Sequence, residues 1–185
     1  MKNRNTFLNP AITCIITAIA LVGTFTGVLA AKNFSDISVL GKAVLFSDDF
    51  YATLKNALLM KVLWTMPLIL GGINIVFIPV APASVFLKCC SFGYTAGLLL
   101  KASGFYGFSV ALTGVVLHNF LFSVFSVIYS SFGINKTIEC YLNRRNYDYR
   151  LRKNKIFAAA TLFFLILNFI ISVFEAYLSS FLYEI

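Results

Sequence analysis

The sequence predicts an all-α integral membrane protein: a bundle of five transmembrane helices with one additional, outward-facing interfacial helix. Hydrophobic residues make up 59% of the 185 residues and charged residues only 12%, whereas a soluble globular chain carries about 25% charged residues. The mean hydropathy is +0.86. A core of this size would need a charged shell in water, and the composition does not supply one. Lipid is therefore the expected solvent.

Five apolar runs are each long enough to cross a bilayer, which takes about 20 residues. Pro79 and Pro82 divide one long charge-free run into two crossings, and Gly104 with Gly107 predicts a tight turn before the fourth crossing. All five belong to one membrane domain, residues 1–185. The predicted crossings cover residues 11–31, 58–80, 83–100, 106–132 and 156–183.

The first apolar run has two interpretations. Lys2 and Arg4 ahead of it, with a small-residue site at residues 28–30, resemble a cleaved secretory signal. The apolar part of a typical signal is only about 7–15 residues long, and this run is longer. An uncleaved helix is the favoured interpretation.

The interfacial helix is predicted over residues 40–57, the most polar stretch of the first half. Apolar side chains recur there at spacings of three and four residues, as in a helix that buries one face. Ser47, Asp48 and Asp49 are suited to a helix start, because short polar and acidic side chains stabilise exposed backbone N–H groups. We expect this helix to lie at the membrane surface and to lead into the second crossing.

The net charge of +8 is unevenly distributed. With five crossings, ten basic residues fall on one side and five on the other, and the basic side of a membrane protein faces the cytoplasm. We therefore expect a cell-membrane protein with a cytoplasmic N-terminus and an extracytoplasmic C-terminus. Nucleic acid is not an expected partner. One basic run is expected to face anionic lipid head groups; it contains Arg144, Arg145, Arg150, Arg152 and Lys153.

Glu175 is the strongest candidate for a functional or structural charge, because an ionised side chain inside a bilayer is costly. It could be a carboxylate at the membrane surface, or it could face the bundle interior in an ion pair or a partner-docking site. Lys61 is a suitable ion-pair partner. Both interpretations stay open at this point.

His118 and Asn119 lie in the middle of the predicted fourth crossing, where lipid offers no hydrogen-bond partner. The favoured interpretation is that they bond across helices, with Asn74 or Asn168 as possible partners. The alternative is that they line a polar path for a proton or a small substrate.

Two pairs of glycines occur at helical spacing, Gly23 with Gly27 and Gly93 with Gly97. Small residues four apart let helix backbones approach closely, and packing within the bundle is favoured over dimerisation. The sequence holds no Ser/His/Asp set, phosphate loop or paired carboxylates of the kind that catalysis uses. We expect neither an enzyme nor a cofactor nor a metal site.

From about residue 46 to residue 184 the chain resembles the stage II sporulation protein M family. The resemblance includes Leu54-Lys55-Asn56 and Leu63-Trp64 in the second helix, and the segment Gly93-Tyr94-Thr95-Ala96-Gly97. His118-Asn119 falls where the family has a Pro-polar-Asn motif, although the family's proline is Leu117 here. The most specific match is Phe174-Glu175-Ala176-Tyr177-Leu178-Ser179, where Ser180 replaces a usual proline.

The resemblance implies a non-enzymatic membrane anchor. Members of the family hold peptidoglycan hydrolases, the stage II sporulation proteins D and P, at the septal membrane during engulfment of the forespore. By this resemblance Glu175, Tyr177 and Asn56 are candidate partner-docking or structural residues. A small transporter or permease subunit with a polar path at His118 and Asn119 is the alternative. The sequence leaves the oligomeric state open.

Overall fold

The computed structural model describes residues 9–33, 50–111 and 117–183, and these residues form helices without any strand. Five helices are long and apolar enough to cross a membrane, which confirms the predicted all-α, five-helix architecture. A short 3₁₀ helix, Ile75–Phe77, separates the second from the third. The long helices are α1 (Pro10–Asn33), α2 (Phe50–Ile73), α3 (Val80–Ala111), α4 (Leu117–Leu142) and α5 (Tyr147–Tyr183).

The predicted interfacial helix, residues 40–57, is only partly within the described chain. Residues 40–49 lie outside it, whereas residues 50–57 form the first two turns of α2. No break separates them from the rest of that helix. The second crossing therefore begins earlier than the predicted residue 58.

The two glycine pairs pack α1 against α3. A Cβ atom on Gly27 would overlap the carbonyl oxygen of Cys90, and one on Gly93 would overlap that of Thr24. Gly23 approaches the Phe86 carbonyl in the same way, and Gly97 approaches Ala31 and Val28. Contacts therefore advance in the same direction along both helices, so α1 and α3 are parallel. Both glycine pairs lie at a helix contact within the bundle.

The remaining contacts give the direction of the other helices. Lys61 near the middle of α2 contacts Glu175 late in α5, while Gly72 at the end of α2 faces Phe157 early in α5. These two helices are therefore antiparallel. Gly72 also faces Gly133, which lies before the end of α4. Lys61 and His118, earlier on the same two helices, both contact Glu175, so α2 and α4 are parallel.

The five helices thus alternate in direction, and the bundle has two ends. We call the end that holds Pro10, the α2–α3 connection and the α4–α5 connection (143–146) the basic end. The opposite end, which holds Asn33, Phe50 and the end of α5, is the distal end.

α2 ends at Ile73, seven residues before the predicted boundary at residue 80. Asn74 leaves the helix with an extended backbone (φ −134°, ψ 142°), and its side chain accepts a hydrogen bond from the Val76 N–H. The terminal carbonyls of α2 receive donors from α4. Lys136 donates to the Gly72 carbonyl at 3.1 Å and the Thr137 hydroxyl donates to the same oxygen at 2.8 Å. These donors satisfy carbonyls that the helix itself leaves unpaired, and a cation suits the negative end of the helix dipole.

The predicted turn at Gly104 and Gly107 was wrong. α3 passes through both positions and ends at Ala111, and α4 covers Leu117–Leu142 instead of residues 106–132. A glycine within a helix costs only about 1 kcal/mol, and glycine is common in membrane helices. The fourth crossing is therefore displaced by about ten residues toward the C-terminus.

Aromatic rings fill the space between α4 and α5. The rings of Tyr129 and Phe164 stack with their centroids 4.5 Å apart, and Phe157 stacks on the other side of Tyr129 at 5.8 Å. The Tyr129 hydroxyl meets the Thr161 hydroxyl at 2.7 Å, so its polar atom is satisfied. This layer separates the polar contacts of the basic end from those of the distal end.

Replacing Gly27 with valine should destabilise the bundle, because the added atoms meet the Cys90 backbone, which cannot move aside as a side chain could. We expect a loss of about 1–3 kcal/mol, the usual cost of overpacking. Thermal unfolding in maltoside micelles, followed by circular dichroism, measures it. Ala18→Val, on the exposed face of the same helix, is the control. Equal unfolding midpoints for the two variants would contradict the glycine-mediated contact.

Candidate functional site: a buried charge cluster

Five polar side chains from four helices meet inside the distal half of the bundle, and we call them the charge cluster: Lys61, Lys88, His118, Asn119 and Glu175. Lys61 of α2 forms an ion pair with Glu175 of α5. His118 of α4 places its Nε2 atom 3.1 Å from the other carboxylate oxygen of Glu175. Lys61 and His118 are buried, and the Glu175 side chain is 25% exposed.

The helical repeat of α5 brings Glu175 into the interior. Asn168, Ile171 and Ser172 precede it at spacings of seven, four and three residues, and all three are buried. Residues at these spacings share one face of a helix. Glu175 therefore continues a buried stripe that packs against α2 and α4, and does not lie on the lipid-facing surface.

His118 and Asn119 contribute different contacts to the cluster. The amide nitrogen of Asn119 also lies 3.2 Å from His118 Nε2, but one ring nitrogen cannot donate to a carboxylate and accept from an amide at once. The bond to the ionised carboxylate is the stronger one, so we assign Nε2–H as a donor to Glu175. The side-chain oxygen of Asn119 accepts a hydrogen bond from Lys88 Nζ at 3.0 Å.

Lys88, on α3, lies beside aromatic rings of α2 and α4. Its ammonium lies 5.9 Å from the ring centroid of Trp64 and 5.3 Å from that of Phe122. Ring faces attract cations, and more strongly where water is excluded. The Lys88–Asn119 hydrogen bond links α3 to the α2–α4–α5 part of the cluster.

A polar seam continues from the charge cluster toward the core. Thr65 donates to the backbone carbonyl of Lys61 at 2.7 Å, and the amide nitrogen of Asn168 donates to the Thr65 hydroxyl at 2.9 Å. Within the described residues, the buried side-chain oxygen of Asn168 and the hydroxyl of Ser130 have no hydrogen-bond partner. The seam of described contacts thus extends from Lys61 through Thr65 to Asn168.

The predicted pairing of Glu175 with Lys61 is present, and Glu175 faces the bundle interior. The predicted position of His118 and Asn119 in the middle of a crossing was wrong, because they lie in the first described turn of α4. Their suggested partners were also wrong. Asn168 bonds Thr65, and Asn74 is exposed and caps the 3₁₀ helix.

Lys88 was missed as a site residue. Its position inside an apolar run was a usable signal, since ionisable residues within membrane segments usually face the bundle interior or a polar cavity. By its place near the start of the predicted third crossing, Lys88 counts among the ten basic residues of the expected cytoplasmic side. The structure instead directs its ammonium toward Asn119 in the distal half.

The other predicted residues lie on the surface. Tyr177 is 62% exposed, and Asn56 is exposed on α2. At the basic end, Arg144, Arg145, Arg150 and Arg152 are exposed. Lys153 differs from these arginines, because it forms an ion pair with Glu139 at 2.6 Å. The Tyr149 hydroxyl donates to the same carboxylate at 2.9 Å.

Three clefts are lined by described residues. The most enclosed, of about 320 Å³, lies between α1, α3 and α4 and is lined almost entirely by apolar atoms. The other two lie against α1 and between α2 and α5. Lys61, Lys88, His118, Asn119 and Glu175 line none of these three clefts. Within the described residues, no group of three histidine, cysteine, aspartate or glutamate side chains could hold a metal ion.

Comparison of the chain with protein-family models, with curated proteins and with solved structures found no match. A carboxylate held by an ammonium and an imidazole N–H cross-links α2, α4 and α5. The same contacts keep all three groups from reacting as isolated acids or bases.

Removing either partner of the Lys61–Glu175 pair should destabilise the bundle more than removing both. Loss of one partner of a buried ion pair costs about 3–5 kcal/mol, because the other charge stays buried and unpaired. Since Glu175 is 25% exposed, we expect about 3 kcal/mol, the lower end of that range, for Lys61→Met and for Glu175→Leu. The double variant should recover much of this loss. Unfolding in micelles measures all three free energies as a double-mutant cycle.

Lys55→Met is the matched control for this cycle, because Lys55 is an exposed lysine on the same helix. It should change the free energy of unfolding by no more than about 0.5 kcal/mol. Strictly additive losses in the Lys61→Met/Glu175→Leu variant would show that the two side chains do not interact.

Proposed function

We propose that the protein is a non-enzymatic membrane anchor that recruits peptidoglycan hydrolases to the septal membrane during engulfment. The proposal rests on one observation: two side chains in one short segment of α5 face in different directions. Glu175 turns into the bundle and is ion-paired, whereas Tyr177 is 62% exposed. Two residues apart on a helix is about 200° of rotation. One motif can therefore hold the bundle together and present an aromatic side chain outward.

The resemblance to the stage II sporulation protein M family supports the identity of the partner. The segment from residue 174 to residue 179 is the most specific part of this resemblance. In the proposal, Glu175 of this segment holds the helices together and Tyr177 contacts the partner. Tyrosine is a frequent anchor at protein interfaces, since it offers a large rigid surface with a polar tip. Asn56 is exposed on the distal half of α2 and would belong to the same docking side.

We further propose that the basic end faces the cytoplasm and the distal end faces outward. The exposed arginines of the α4–α5 connection support this orientation, because cytoplasmic loops carry an excess of lysine and arginine. The distal end, with Tyr177, would then lie on the side of the membrane where peptidoglycan is found. Anionic lipid head groups at the basic end are the expected contacts of Arg144, Arg145, Arg150 and Arg152.

The competing function, a small transporter or permease subunit, rests on the polar seam. Lys61, Thr65 and Asn168 form a continuous line of polar contacts in the bundle interior. A seam of this kind could be part of a proton path. The ion pair at its distal end favours a structural role, because each of the two charges already has its counter-charge.

The orientation predicts opposite labelling of the two ends. In a variant whose four cysteines are replaced, a single cysteine at Glu184→Cys should react with a membrane-impermeant maleimide in intact cells. One at Arg145→Cys should react only after the cells are permeabilised. Labelling of both positions in intact cells, or of neither, would overturn the proposed threading.

The anchor function predicts that Tyr177→Ala reduces partner recovery without unfolding the bundle. In a crosslinking pull-down from membranes, the wild-type protein should recover a peptidoglycan hydrolase. The variant should recover about tenfold less, the effect of losing a hot-spot aromatic residue. The unfolding midpoint should fall much less than for Glu175→Leu, because the Tyr177 side chain is largely exposed.

Phe163→Ala is the matched control, since Phe163 is 63% exposed on the same helix and lies about four turns away from Tyr177. It should leave recovery of the hydrolase intact. Recovery of a transport ATPase subunit in place of a hydrolase would replace the anchor function with the transport function.

A further inference from the structure

The charge cluster carries more positive than negative charge. Within the described part of the chain, the interior of the distal half holds two ammonium groups, Lys61 and Lys88, and a single carboxylate, Glu175. Lys61 forms its ion pair with Glu175. His118 donates to the same carboxylate and adds no negative charge. The positive charge of Lys88 is therefore not balanced by any described side chain within ion-pairing distance.

The described contacts of Lys88 do not neutralise its positive charge. An ammonium group has three N–H donors, and one of them bonds the side-chain oxygen of Asn119 at 3.0 Å. The ammonium also faces the rings of Trp64 and Phe122, which attract a cation but do not neutralise it. A charged group in a low-dielectric interior is stable only with a counter-charge or when it loses its charge. Lys88 is only partly buried, so a small group could reach it.

We propose that Lys88 and Asn119 form a binding site for a singly charged oxyanion. The ammonium would supply both the charge and N–H donors of the kind that bind carboxylate and phosphate oxygens, and the side-chain oxygen of Asn119 would hold it in position. One negative charge balances the one excess ammonium, whereas a doubly charged anion would be repelled by Glu175. The ligand class is thus a carboxylate or a phosphodiester, from a soluble monoanion or from an anionic lipid head group. The site does not depend on the anchor function.

Trp64 provides a built-in reporter of the site. It is the sole tryptophan of the chain, and its ring centroid lies 5.9 Å from Lys88 Nζ. Iodide is a singly charged anion that quenches tryptophan fluorescence on contact, and acrylamide is a neutral quencher. An uncompensated cation beside the ring should raise the local concentration of iodide and leave that of acrylamide unchanged.

The experiment compares the two quenchers on the full chain in maltoside micelles at neutral pH and constant ionic strength. The ratio of iodide to acrylamide quenching should be about threefold or more higher for the wild type than for Lys88→Gln. Lys55→Gln, which removes an exposed lysine from the helix that carries Trp64, should retain the wild-type ratio. The helical content of each variant is checked by circular dichroism. If Lys88→Gln does not fold, the wild-type ratio is compared with that of Lys55→Gln and with a free tryptophan derivative.

Competition then identifies the source of the ligand. Suppression of iodide quenching by sodium acetate indicates a soluble carboxylate, and suppression by added phosphatidylglycerol but not by acetate indicates a lipid head group. A wild-type ratio equal to that of Lys88→Gln or of the free derivative overturns the site. So does iodide quenching that neither competitor reduces. A high ratio that arises only after Asp48→Asn and Asp49→Asn would show that the chain's own carboxylates neutralise Lys88, and it would overturn the proposal as well.

Discussion

Lipid cannot solvate a charge, so an ionised side chain inside this bundle needs a counter-charge beside it. The Lys61–Glu175 pair meets this requirement between α2 and α5, and His118 extends it to α4. Apolar packing alone would hold helices side by side in lipid without choosing their relative height, because lipid chains are as apolar as leucine. The ion pair fixes that height.

The bundle can be understood as two units joined by polar contacts. One unit is the α1–α3 pair, in which four glycines bring the backbones close together. The other is α2, α4 and α5, which share the charge cluster and a layer of stacked aromatic rings. The hydrogen bond from Lys88 to Asn119 connects the units near the distal end. Loss of this bond would leave the two units in contact mainly through apolar surface.

Much of the fold could be predicted from the sequence. The number of crossings follows from the number of long apolar runs, and the inward face of each helix follows from the helical repeat of its buried residues. The Glu175–Lys61 pair could be proposed because the bundle interior holds few charges. The end of α2 could not, since it depends on tertiary contacts. Lys136 and Thr137 of α4 satisfy the last carbonyls of α2, and no local pattern near Ile73 reveals these donors. The wrongly predicted turn at Gly104 and Gly107 puts His118 in the middle of a predicted crossing, away from its partner Glu175.

The same constraint explains why the distal end is the more informative part of the molecule. At the basic end, the buried cation Lys136 neutralises the partial negative charge of a helix terminus, and Lys153 has a full partner in Glu139. Both of these charges have a structural explanation. At the distal end the charge of Lys61 is balanced by Glu175, whereas the charge of Lys88 has no counter-charge among the described side chains. Its hydrogen bond to Asn119 joins two parts of the bundle, but a neutral polar residue could do the same without the electrostatic cost of a cation, and this difference supports the proposed anion site.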